Sequence, residues 1–167
     1  MRVLVTAASR HAGTREIGAW IVAELQSGGH EADLVDPDAV RSLDGYDAVV
    51  LGSAIYVARW LPAAREFARR FAPELAERPV WLFSSGLATS SAAAADVPGE
   101  TRAVIDTLRA RGHRAFGGRL DRRFLSVAER AIVAATRGKD GDHRDLAAVT
   151  QWGGTISDEL ARSQLRA

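Results

Sequence analysis

Apolar runs alternate with helical patterns along this chain. Val3-Leu4-Val5-Thr6 predicts a first strand, and Ile17, Trp20, Ile21 and Leu25 recur at helical spacing over about 14–26 until Ser27-Gly28-Gly29 stops the pattern. Ala32-Asp33-Leu34-Val35 predicts a short second strand, followed by the turn residues Asp36-Pro37-Asp38. Tyr46-Asp47-Ala48-Val49-Val50-Leu51-Gly52 is a run of the kind found where both faces of a strand are covered, so it belongs at the centre of a sheet. A helix over 62–75 follows, with Pro62 in its first turn and Ala64, Phe67, Ala68 and Phe71 on one face. Val80-Trp81-Leu82-Phe83-Ser84 predicts a fourth strand, 101–111 a helix, Ala115–Leu120 a fifth strand and 146–162 a last helix.

Strands and helices in alternation imply βαβ units and a parallel sheet. The connection before the last helix is longer than such a unit needs: an extra stretch, 121–144, carries a helical pattern over 124–136 and a loop over 137–142. With 167 residues and 47% apolar content the chain supports one compact domain spanning 1–167, since two would each have little core.

There are no cysteines, which removes disulfides, thiolate catalysis and Cys-ligated metals, so redox chemistry would need a borrowed cofactor. The first strand begins at once with no export signal ahead of it, and no apolar stretch reaches the roughly 20 residues of a membrane span. The expectation is a cytoplasmic protein, at most peripheral to a membrane. Net charge is +1, and the basic residues are almost all arginine, with Lys139 the only lysine. That balance provides no global field for nucleic acid and no acidic coat for docking basic redox partners.

In an open parallel sheet ligands sit past the carboxyl ends of the strands where strand order reverses. Three loops converge there. Ser9-Arg10-His11-Ala12-Gly13-Thr14, between the first strand and first helix, combines hydroxyls, a cation and backbone N–H groups at a helix start, which suits a phosphate. Ser9 or Thr14 could equally cap the helix. The loop has neither the spaced glycines of a dinucleotide fingerprint nor the Gly-Lys-Ser/Thr ending of a triphosphate loop. The second loop, Ser53-Ala54-Ile55-Tyr56 and on to Trp60, places aromatics where a flat ring could stack, the alternative being packing on a neighbouring helix. The third, Ser84-Ser85-Gly86-Leu87, offers hydroxyls and amides to polar ring edges, or is a plain turn after a buried strand. His30, His113 and His143 lie away from these loops in sequence, with no metal-ligand spacing.

The order of elements and the three loops resemble the flavodoxin-like family over almost the whole chain. That resemblance implies a three-layer, doubly wound, five-stranded parallel sheet of order 2-1-3-4-5, with an insertion before the last helix. More narrowly, Ser9–Ile17, Val50–Tyr56 and the insertion are similar to flavodoxin-domain proteins grouped with menaquinone-dependent protoporphyrinogen dehydrogenase. The resemblance implies FMN, its phosphate on Ser9, Arg10, His11, Ala12, Gly13 and Thr14, and its ring flanked by Ser53, Ala54, Ile55, Tyr56 and by Ser84, Ser85, Gly86, Leu87. The family usually has glycine two places before the threonine. Here that place is Ala12, and glycine comes one residue later.

With a flavin carrying the electrons, no catalytic side chain is required. The resemblance implies an oxidoreductase acting on a porphyrinogen or quinone, a small-molecule partner. A flavodoxin-type electron carrier and a flavin-free interaction domain are the alternatives. The basic stretch 122–137, with Arg122, Arg123, Arg130 and Arg137 beside Phe124, Leu125, Ile132 and Val133, can lie on anionic lipid or can be a solvated helix completing the core.

Overall fold

A computed structural model describes residues 1–86, 99–120, 125–135 and 141–165. Five parallel strands form the sheet: β1 (Arg2–Ala8), β2 (Glu31–Val35), β3 (Ala48–Tyr56), β5 (Val80–Gly86) and β6 (Gly112–Gly117), in the spatial order β2-β1-β3-β5-β6. A two-residue strand, β4 (Arg59–Trp60), folds back antiparallel onto β3. Counting the five parallel strands alone, the order is the expected 2-1-3-4-5.

Helices cover both faces: α1 (Gly13–Ser27) and α6 (Leu146–Gln164) on one, α2 (Pro62–Arg70), α3 (Ala72–Ala76) and α4 (Gly99–Thr107) on the other. Strand side chains alternate between them. Val3, Val5, Val50, Trp81 and Phe83 pack with Ile17, Ile21, Val149 and Ile156. Leu4, Val49, Leu51, Val80 and Leu82 pack with Phe67, Phe71, Leu75 and Leu108. This is why the central strands read as unbroken apolar runs. Gly52 is required for a different reason: a Cβ there would lie 2.0 Å from the ring of Phe83.

Three expectations are corrected. The helix expected over 62–75 is two, broken at Phe71 (φ −105°, ψ 13°), because the ring of Pro73 would clash with the carbonyl four residues earlier in a continuous helix. β3 does not end at Gly52 but runs to Tyr56, since Ser53 pairs with Ala8 on one side and Ser84 on the other. The fifth parallel strand is Gly112–Gly117 rather than 115–120, in register with Trp81–Gly86.

Beyond it the chain leaves the sheet. A Cβ at Gly117 would meet the His143 carbonyl at 1.9 Å, so only glycine lets the two backbones cross. Gly118 N–H donates to the Gly86 carbonyl and His143 N–H donates to the Gly118 carbonyl, 3.0 Å each. β7 (Arg119–Leu120) then pairs antiparallel with β8 (Gly141–Asp142), closing the root of the insertion, from which α5 (Val127–Ala135) projects.

Candidate functional site

A cleft of about 110 Å³ opens past the carboxyl ends of β1, β3 and β5. Ser9, Arg10, His11, Gly13 and Thr14 wall it from the first loop, Ala54, Ile55 and Tyr56 from the end of β3, and Ser85 and Gly86 from the end of β5. Three separate segments named from sequence therefore share one concavity. Leu87 lies outside the described residues.

The first loop closes on itself before the helix begins. Thr14 N–H donates to the Ser9 hydroxyl (3.2 Å) and Gly13 N–H to the His11 carbonyl (2.8 Å). Ser9 thus caps the helix and stays on the cleft wall, its own hydrogen without an acceptor among the described residues. Ala12 supplies the first helical acceptor, its carbonyl receiving Glu16 N–H at 2.9 Å, from a left-handed backbone of φ 62° and ψ −17°. Glycine is the residue that adopts this conformation without cost, and it stands next door. Gly13 itself has no such φ; a Cβ there would come to 3.4 Å from Cβ of Arg119. The root of the insertion thus lies against the start of α1, at a distance where a Cβ on residue 13 would make ordinary contact.

Thr14 is 4% exposed and on the cleft wall, yet among the described residues nothing is hydrogen-bonded to its hydroxyl. It faces the cleft at the first turn of α1, where the helix dipole favours negative charge. Opposite, the Arg10 guanidinium carbon lies 4.6 Å from the centre of the Tyr56 ring, a cation–π contact spanning the cleft from the anion side to the aromatic side.

Three residues named from sequence do not line this cleft. Ser53 and Ser84 are fully buried. The Ser53 hydroxyl accepts from Leu61 N–H and donates to the Ala54 carbonyl, 2.9 Å each. The Ser84 hydroxyl accepts from Trp60 Nε1 at 2.9 Å and is 2.8 Å from His113 Nε2. Both belong to strands and point beneath the helices of one face. Ala12 faces a second, wider cleft of about 650 Å³ on the other side of the loop, shared with Arg15, Asp36 and Arg41. Trp60, weighed above as a stacking residue, is 2% exposed and packed in the core.

Sequence reading missed a fourth wall: Gly118, Arg119 and Leu125 from the root of the insertion, with Leu61 after β4. The adjacent glycines at 117 and 118, where β6 ends, were its one local signal. This wall is fastened to α1 by Arg144, whose side chain is 5% exposed. Its guanidinium donates to Asp142 (2.6 and 2.8 Å), Glu16 and the Gly13 carbonyl (3.4 Å), and stacks 4.9 Å over Trp20. The same guanidinium pulls the Asp142 carboxyl down to about 2. Arg119 also reaches Glu16, at 3.4 Å.

Among the described residues no group of three or more histidines and carboxylates is arranged to hold a metal, and no helix is long and apolar enough to cross a membrane. His30 is buried, its Nε2 hydrogen-bonded to the Ser157 carbonyl at 3.1 Å.

The chain is 29% identical over 89 residues to protoporphyrinogen IX dehydrogenase [quinone] of Escherichia coli K12, an alignment covering 52% of this chain and 49% of that protein. The match spans about half the length of the curated relatives. An archaeal flavodoxin superposes with a TM-score of 0.66 at 11% identity, over 96% of this chain and 99% of its own. Rubredoxin oxygen:oxidoreductase of Desulfovibrio gigas gives 0.66 at 13%, over 99% of this chain and 37% of its own. These structures share the fold. The sequence matches the flavodoxin domain over residues 4–147, and with the strand order and the cleft at the switch point this places the chain in the flavodoxin domain family.

Proposed function

We propose that the chain binds FMN in the first cleft and serves as a flavin-dependent oxidoreductase acting on a porphyrinogen or a quinone. The observation that carries the reading is Thr14, a buried residue whose hydroxyl has no hydrogen-bond partner among the described residues, set at a helix N-terminus on the wall of a cleft whose far side is aromatic. A ligand with an anionic end and a flat apolar end matches that pairing. Ser9, Arg10, His11 and Thr14 would hold the phosphate, and Tyr56, Ile55 and Leu125 would bound the ring. FMN supplies electron and hydride transfer when bound. The protein's part is to hold the phosphate, orient the ring and keep water from one side of it. Because Arg10 lies on the Tyr56 ring, stacking on that face would move the guanidinium toward the phosphate. The 29% identity to protoporphyrinogen IX dehydrogenase [quinone] supports the substrate class.

Titrating the protein into FMN tests the cofactor: flavin fluorescence should be quenched with saturable binding, and no binding at tens of micromolar would overturn the reading. The loaded protein should then oxidise a reduced porphyrin with a quinone as acceptor. Stable one-electron reduction without such turnover would point to a carrier instead.

A further inference from the structure

The hairpin that carries Tyr56 is held in an unfavourable shape. Its two turn residues, Val57 and Ala58, have φ of 50° and 58°, the left-handed pair of a two-residue hairpin turn that normally takes asparagine and glycine. Val57 is β-branched, for which this region is a genuine outlier, and its side chain is 64% exposed, so no burial of its own compensates. Such a turn persists only where its surroundings over-determine it.

Two buried hydroxyls do so. Ser53 receives Leu61 N–H just past β4, and Ser84 receives the indole N–H of Trp60 within β4. The polarity of the second bond is fixed, because an indole can only donate. Ser84 keeps its own hydrogen for His113 Nε2, 2.8 Å away, and the bond runs that way in the tautomer of the neutral ring whose Nε2 is unprotonated. A relay of one direction, Trp60 to Ser84 to His113, crosses from β4 over β5 to β6, and the cleft residues Tyr56 and Ser85 each sit within a few residues of it along the chain.

We propose that Ser84 and His113 are positioning residues for the aromatic wall of the cleft: they hold Trp60, and through it the strained hairpin that presents Tyr56 and Leu61 to a ligand ring. The proposal rests on the ring-binding reading of the cleft. A proton on Nε2 would turn that nitrogen into a donor, leaving the Ser84 hydroxyl with two donors to accept and its own hydrogen displaced. Burial, and secondarily Arg102 of α4, hold His113 down at about 4, so the ring is neutral at neutral pH and its Nε2 can accept from Ser84. Among the described residues Arg102 is the one charged group acting on the ring; Arg114, next to it on β6, alternates to the opposite face.

The test compares His113→Leu, which removes the acceptor, with His113→Gln, which can restore one through its amide oxygen, and with Val149→Ala, a core truncation on the other face. The readouts are hydrogen exchange of the Trp60 indole N–H, identified by its loss in Trp60→Phe, and affinity for FMN and riboflavin. His113→Leu should speed indole exchange and weaken both flavins about tenfold, as expected for one buried bond lost with a group left unpaired. His113→Gln should recover most of this, and Val149→Ala should change neither flavin affinity nor Trp60 exchange beyond its effect on stability. In the unaltered protein the Trp60 indole resonance should titrate with His113 as pH falls toward 4. An indole insensitive both to His113→Leu and to that titration overturns the proposal, as does an equal flavin loss in Val149→Ala. Failure of the unaltered protein to bind FMN would instead overturn the reading of the cleft, and the exchange and titration data would still decide whether the relay holds the hairpin.

Discussion

Replacing Ala12 with glycine should stabilise the protein, a reversal of what the same change does elsewhere in the first helix. An L-residue in the left-handed region costs about 1–2 kcal/mol, from the crowding of Cβ against the following carbonyl. Ala12 sits there at φ 62° with no side-chain cap, and its exposed methyl packs into no core cluster. Against that gain, glycine raises the entropy of the unfolded chain by about 0.4–1 kcal/mol. The difference is a net stabilisation of about 0.5–1 kcal/mol, or roughly 1–4 °C in Tm for a chain of this size. Ala19→Gly, on the exposed side of α1 with ordinary helical geometry, should instead cost about 1 kcal/mol. Urea unfolding followed by circular dichroism measures both, read as midpoint shifts at constant slope. Affinity for FMN should stay within about twofold in Ala12→Gly, because the loop already holds the required conformation and little preorganisation is gained. The reasoning fails if the two glycine variants shift the midpoint in the same direction, or if Ala12→Gly tightens FMN strongly. The second result would mean that alanine reshapes the loop rather than straining it.

Thr14→Val should weaken FMN by roughly tenfold or more while changing riboflavin little, since a hydrogen bond to a charged group is at stake only when phosphate is present; equal losses measured by fluorescence titration would remove Thr14 from the phosphate site. Arg144→Ala should cost about 2–3 kcal/mol in urea unfolding, less than a fully buried ion pair because Glu16 and Asp142 remain about half exposed to water. Arg144→Lys should recover under half of that, since an ammonium cannot reproduce the paired bonds. Gly117→Ala should destabilise by about 3 kcal/mol or more, because the His143 carbonyl in its way is backbone and cannot swing aside. Acid should weaken the fold through His113: the unfolded ring protonates near 6.5 and the folded one only near 4, so stability is full above 6.5 and is lost as pH falls from there through 4. Discounted for the ring's partial exposure, the loss is about 2 kcal/mol, and His113→Gln should flatten that part of the profile of unfolding free energy against pH.

The fold was largely legible because both its faces are buried. Val49, Val50 and Leu51 supply alternate faces of β3 to two separate clusters, and that two-sided demand is what an unbroken apolar run records. Boundaries were harder. Pro73 was in plain view, but the apolar stripe of Phe67, Phe71 and Leu75 continues across the break it makes, because α2 and α3 cover the same sheet face. The start of β6 was missed because its pairing with Trp81–Gly86 depends on backbone register rather than on its own side chains, of which His113 and Arg114 are polar.

The walls of the cleft were legible where they follow from position in the fold, and less so where strand residues were grouped with a loop. Ser9, Thr14 and Tyr56 needed only the rule that ligands meet the carboxyl ends of strands at the switch point. Ser53 and Ser84 followed the same rule but do not line the cleft: Ser53 fell past a strand ended at Gly52, and Ser84, the last residue of its expected strand, was grouped with the loop, so the alternation that places them went unused. Counting in twos from Leu51 reaches Ser53, and from Leu82 reaches Ser84, so both hydroxyls share the buried face of those leucines. A hydroxyl on such a face must find a partner inside the protein. The candidates were an indole N–H, a backbone N–H and an imidazole, and all three lie on elements whose arrival depends on tertiary pairing. Strand parity thus separates the two kinds of serine in this chain: those in register with core leucines brace the cleft from behind, while Ser85, one residue out of that register, reaches it.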